Sequence, residues 1–250
     1  MFRFIIIFLV TLLIGCGKPP SQHQLTILPY WQGKPIDCNT VLNIQGQRWS
    51  IRDFSLYLSQ LKYFDSSGAW SNVTLDVDED SSSNVVLLTP NCSEAGLGYQ
   101  WQINVVEGID QWQKVKFTLG VPFELNHQNP IFQKNPLNDP SMFWVWRTGH
   151  KFLRLEMDSE QSSFIFHLGS VGCQSKSAVR APTSACHYPN LNQYEIDLAE
   201  HKTIVLDLAV LMDGVTLSNN ITCKSSPENP DCLLLLDNLS NQNVFVNKGS

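Results

Sequence analysis

The chain has 250 residues, 43% of them hydrophobic and 16% charged, and its 23 acidic against 17 basic side chains give a net charge of −6. That sign argues against nucleic acid as a partner, because neutralising phosphate wants a basic surface. Length and apolar content suffice for one substantial core.

Arg3 precedes an apolar run from Phe4 to Ile14, the order of a basic n-region and an h-region in a secretion signal. The run is shorter than the roughly 20 residues needed to span a bilayer. It closes on Leu13, Ile14, Gly15 and Cys16, which resembles the lipobox of bacterial lipoproteins, with cleavage after Gly15 and a diacylglycerol on the Cys16 sulfur. An ordinary signal peptide with an incidental cysteine is the alternative. Gly17 rather than Asp follows, and on that resemblance the lipid anchor, the only membrane attachment expected, sits in the outer membrane, facing the periplasm or the outside. The expected organisation is a signal peptide over 1–15, a flexible, proline-containing tether over 16–24 and a single β-rich domain over 25–250.

Setting Cys16 aside leaves Cys38, Cys92, Cys173, Cys186, Cys223 and Cys232, an even set. In an oxidising compartment such thiols pair. Proximity suggests Cys173 with Cys186 and Cys223 with Cys232, leaving Cys38 with Cys92, among the other connectivities six cysteines allow. A thiolate metal site is the rival, and no C-x-x-C pair supports it.

Within the domain, Leu25 and Ile27, then Leu42 and Ile44, alternate with polar residues as half-buried strands do. Ser50 to Tyr63 departs from this: Ser50 can cap, Asp53 follows three later, and Phe54, Leu58 and Leu61 recur near helical spacing, which predicts a short helix. From Trp70 the alternation returns through Val73, Leu75 and Val77, and Tyr99 to Val105 and Lys114 to Val121 read likewise. Pro122 to Pro140, with four prolines among asparagines, is a long loop of the kind that carries function or disorder. Met142 to Trp146, Lys151 to Met157 and Ser163 to Leu168 follow as three predicted strands, and Thr203 to Leu211 is another. The fold class expected is all-β: an antiparallel β-sandwich with one or two short helices.

Common catalytic signatures are missing, with no H-E-x-x-H, P-loop or dinucleotide fingerprint. Leu168 to Gly172 only mimics a nucleophile elbow, because Leu168 stands where the first glycine is required. No enzymatic activity is expected. Of six histidines, His127 falls in the proline-rich loop, His150 at a turn tip and His167 in a predicted strand. Imidazole nitrogen suits copper and zinc, and a loop plus neighbouring strands can gather such ligands; the ordinary reading of each is a hydrogen-bonded core or surface histidine. Trp144 and Trp146, two apart in a predicted strand, would project from one face. Packing aromatics are the ordinary reading, and an indole oxidised by a nearby high-valent metal centre is the sharper one.

The run Gly120, Val121, Pro122, Asn126, His127, then Pro136, Leu137, Asn138, then Met142 to Trp146, Gly149 and Lys151 to Leu155 resembles the MbnP family. So does Phe166 to Cys173, with Cys186, Pro189 and Asn190 behind it. The resemblance implies a periplasmic or surface copper-binding protein paired with a MauG-like dihaem cytochrome c peroxidase that oxidises one tryptophan to kynurenine. It implies His127 and His167 as Cu(I) ligands and Trp144 or Trp146 as the oxidised residue. Family members commonly show Gly-Tyr where this chain has Gly149 and His150, which leaves His150 neutral or an extra donor. Two other classes stand beside this reading. One is a surface module gripping a polysaccharide or a partner protein through exposed aromatics. The other, an independent copper oxidase, lacks a free cysteine for a blue-copper ligand once the six have paired.

Overall fold

The computed structural model describes residues 23–82, 85–93, 98–217 and 220–249. The signal peptide, Cys16 and the tether up to Gln22 lie outside the described residues. Gln24, expected as the last residue of the tether, instead opens the strand Gln24–Trp31, where its neighbour His23 receives the Val105 backbone N–H. Among the described residues no helix is long and apolar enough to cross a membrane.

Two sheets form a sandwich. The larger, of nine strands, is organised around Gln47–Phe64, an 18-residue strand paired antiparallel with Val41–Ile44, Trp70–Asn72, Val85–Leu88, Lys114–Leu119 and Leu153–Asp158. The helix predicted over 50–63 is therefore a strand. Phe54 to Ser59 are buried on both faces, so apolar residues fill both alternations and imitate helical spacing. Asp53, read there as part of a cap, forms an ion pair with Arg154 at 3.0 Å. The strand bends through register shifts between Ile51 and Asp53 and between Ser59 and Lys62.

The five-stranded sheet centres on Gln24–Trp31, which pairs with Thr203–Asp207 in parallel, and Ser163–Leu168 likewise pairs in parallel with Ile221–Cys223 in the larger sheet. The sandwich is thus mixed rather than wholly antiparallel. Rings from the two sheets meet across the core, Phe54 with Trp101 at 5.2 Å and Phe117 with Phe245 at 5.1 Å between centroids. The helix Pro230–Asn241, capped by Asn229, packs at the end of the Ile221–Cys223 strand. All three disulfides are those proximity suggested: Cys38–Cys92, Cys173–Cys186 and Cys223–Cys232.

Between Leu119 and Leu153 the chain leaves the sheet and returns to it. This excursion holds the helical turn Phe123–Asn126 and the 3-10 turns Pro130–Phe132 and Pro140–Met142, the latter two opened by Asn129 and Asp139 side chains with proline at the first position. The strand predicted over Met142 to Trp146 does not form. Phe143 and His150 make a single antiparallel bridge, and Thr148 and Gly149 both donate their N–H to the Val145 carbonyl, closing a tight turn.

Candidate metal centre

The turn from Phe143 to His150 presents both tryptophans, and a different histidine stands against each. Without a strand, Trp144 and Trp146 do not share a face as pleating would require.

Trp146 meets His127, which follows the helical turn Phe123–Asn126. Its indole Nε1–H donates to the His127 carbonyl at 2.6 Å, and the Trp146 carbonyl lies 3.4 Å from His127 Nδ1. Asn126, fully buried, clasps the two segments together: its Oδ1 receives the His150 backbone N–H at 2.7 Å, while Nδ2 faces the Thr148 carbonyl at 3.4 Å and His127 Nε2 at 3.3 Å. These contacts fit one tautomer of His127, with the proton on Nδ1 and the lone pair on Nε2. Burial pushes this imidazole's pKa down, which keeps it neutral. Gly149 makes the clasp possible, since at φ +74° a side-chain Cβ would stand 2.3 Å from Asn126 Oδ1.

Trp144 meets His167, with ring centroids 6.2 Å apart. A Cβ on Gly169 would lie 2.7 Å from the Trp144 ring, so only glycine there admits the indole. His167 stands on Ser163–Leu168 beside Leu153–Asp158, opposite Arg154 and diagonal to Glu156. Its Nε2–H donates to Glu156 Oε1 at 2.8 Å. Arg154 at 2.8 Å and Arg52 at 2.8 Å also hold that carboxylate, and chiefly the Arg154 hydrogen bond keeps its pKa well below the usual carboxylate range. A permanently ionised acceptor fixes the proton on His167 Nε2 and leaves Nδ1 as a lone pair. That Nδ1 is buried and has no hydrogen-bond partner among the described residues. Burial first, helped by the Lys151 and Arg154 charges, holds the His167 pKa below the ordinary histidine value against the upward pull of Glu156, so the ring is a neutral donor.

The strand end carrying His167 is tied down from behind. Ser225 Oγ–H donates to the His167 carbonyl and its Oγ accepts from Gly169 N–H, both at 2.7 Å, and Asn190 Nδ2 donates to the Gly169 carbonyl at 2.8 Å.

His150 is placed differently. It is completely buried, with Nε2 on the Leu137 carbonyl at 2.8 Å and Nδ1 3.2 Å from Asn126 Oδ1, so both ring nitrogens already face partners. Both facing atoms are acceptor oxygens, so the neutral ring donates to one of them, and His150 serves here as a buried hydrogen-bonding residue. Among the described residues, one group of three histidine, cysteine or carboxylate ligand atoms lies within 4.8 Å: His127, Cys173 and Cys186. Those two sulfurs are bonded to each other, so neither is a thiolate. Among the described residues His167 belongs to no such group.

Asn126 and Glu156 were not expected as site residues. Asn126 carried no separate signal, whereas Arg154 and Glu156 alternate on the polar side of a correctly predicted strand next to the one bearing His167.

Among curated protein sequences no significant match to the chain is found. Among solved structures it is similar to MbnP from Methylosinus trichosporium, with a TM-score of 0.73 at 17% identity, covering 89% of this chain and 96% of that one. At that identity the likeness establishes the fold. The MbnP family profile matches residues 20–229, the greater part of the molecule, and the chain belongs to the MbnP family.

Proposed function

We propose that this protein is an extracytoplasmic copper-binding lipoprotein without turnover of its own, anchored through Cys16 in the outer membrane, whose Cu(I) site draws on His127, His167 and one oxidised tryptophan. The observation that carries the reading is His167: a neutral imidazole whose Nε2 is bound to an ionised carboxylate and whose buried Nδ1 has no partner among the described residues. A carboxylate orienting one ring nitrogen while the other is left open is the usual arrangement around a metal-bound histidine.

Two imidazoles suit a soft monovalent ion but leave its coordination short. Trp144 is half-buried beside the His167 imidazole and Trp146 is half-buried with its indole on the His127 backbone carbonyl, rather than spread as an open platform, which favours copper over a polysaccharide-gripping module. Oxidation of one indole to kynurenine by a MauG-like dihaem peroxidase would expose an aryl amine and a carbonyl, turning a non-ligand into a nitrogen donor. The test is Cu(I) affinity by competition with a chromophoric chelator, together with intact-mass analysis of protein made with and without the peroxidase. The reading requires a sharp loss in His167→Ala and an oxidation adduct on tryptophan; unmodified protein with undiminished affinity removes the maturation step.

A further inference from the structure

The Cys173–Cys186 disulfide stands directly on a proposed copper ligand. Cys186 Sγ is 3.6 Å from His127 Nε2, the ring atom that carries the lone pair, and the three ligand atoms lie within 4.8 Å of one another. The bridge joins cysteines separated by 13 in sequence, and the segment from Gly172 to His187 around it contains no helix or strand. The isolated pairing of Val171 with Tyr188 closes it, and the Arg147 N–H donated to the Ala178 carbonyl tethers its middle. A loop of irregular backbone can let two sulfurs part without disturbing a sheet. The bridge between Cys223 and Cys232 differs, since it joins a strand to a helix and is wholly buried.

We infer that Cys173, Cys186 and His127 form a latent second metal site, closed while the disulfide is intact and opened by thiol–disulfide exchange to bind a zinc-class divalent ion through two thiolates and one imidazole. In the opening step a dithiol reductant gives two electrons to the S–S bond and leaves as its own disulfide, while Cys173 and Cys186 take up a proton each. Binding then expels both protons, because the thiolate is the ligand. Two thiolates and a divalent ion sum to zero charge, which suits a buried position. Three protein donors leave a fourth tetrahedral position open, the pattern of an exchangeable rather than a sealed site. The inference needs neither copper on His167 nor an oxidised tryptophan; it shares only His127 with the function proposed above.

The experiment uses the whole mature protein under anaerobic conditions. A phosphine reductant is added in steps, freed thiols are mapped by alkylation and mass spectrometry, and Cd(II) is titrated while thiolate-to-cadmium charge-transfer absorption is read. Once Cys173 and Cys186 are free, one Cd(II) per chain is expected with the intensity of two thiolates. Cys173→Ser with Cys186→Ser should lose that absorption, and His127→Ala should bind roughly tenfold or more weakly. His167→Ala should leave it unchanged, which separates this site from the copper reading. If the double serine variant does not fold, blocking the two freed thiols of the wild-type protein with iodoacetamide serves in its place. Freed Cys173 and Cys186 without cadmium uptake would overturn the inference. So would equal absorption after their removal, or reduction of this bridge only when near-ultraviolet circular dichroism shows the fold is lost.

Discussion

The two proposed copper ligands are held by contrasting means. His167 sits on a sheet strand and is oriented by charge: an ionised Glu156, itself gripped by Arg52 and Arg154, dictates which nitrogen carries the proton. His127 sits on an irregular excursion and is oriented by neutral contacts, from Asn126 and from the Trp146 backbone, inside a turn that only glycine at position 149 allows. The first half answers to electrostatics and the second to steric fit, so substitutions in the two should fail in different measurements.

The largest effect is expected from His167→Ala, which removes the open nitrogen and should weaken Cu(I) binding roughly a hundredfold or more, about 3 kcal/mol, in chelator competition. Glu156→Gln should follow, with a loss of about tenfold to a hundredfold, because an amide neither fixes the tautomer nor supports the ring's basicity. On the steric side, Gly149→Ala should cost about 2 kcal/mol in urea unfolding, from a strained backbone and a collision with Asn126, with a smaller change in affinity. Smallest for copper is His150→Gln, expected to alter affinity by less than about threefold while lowering stability by about 1–2 kcal/mol through lost buried hydrogen bonds. An affinity loss in that variant as large as in His167→Ala would erase the division drawn here.

Acid should dissect the same halves. Burial holds His127, His150 and His167 below the ordinary histidine value of 6.5, so the unfolded chain takes up these protons first and stability declines as pH falls through 6.5. Glu156 is depressed below its ordinary 4.5; its contribution is complete above that value and is lost as pH falls further toward its folded value. Urea midpoints measured down the pH scale should therefore fall in two stages, and Glu156→Gln should flatten the lower one while deepening the upper, since without the carboxylate the His167 pKa drops further.

Much of this was legible in the residues. Alternation located Leu153–Asp158 and Ser163–Leu168, and spacing paired the cysteines, because both signals are local. Gln47–Phe64 misled because a strand buried on both faces has no polar side to reveal its period. Asn192–Asp197 carries only Tyr194 and Ile196 as apolar alternates at the sheet's end, too few to mark a strand, while the Leu233–Leu236 run of Pro230–Asn241 hides its helical period despite the Asn-Pro opening. The tryptophan pair looked like a strand face because the turn that separates them is set by Asn126, distant in sequence from the residues it clasps. Family resemblance supplied His127 and His167; the hydrogen bonds that make them donors could only be seen once the chain was folded.

The most direct measurement is nitrogen NMR of the histidine rings during titration with Cu(I), a diamagnetic ion. The account predicts that His167 Nδ1 shifts as the metal binds, while Nε2 keeps its proton on Glu156. An unmoved His167 Nδ1 at saturating Cu(I) would contradict it.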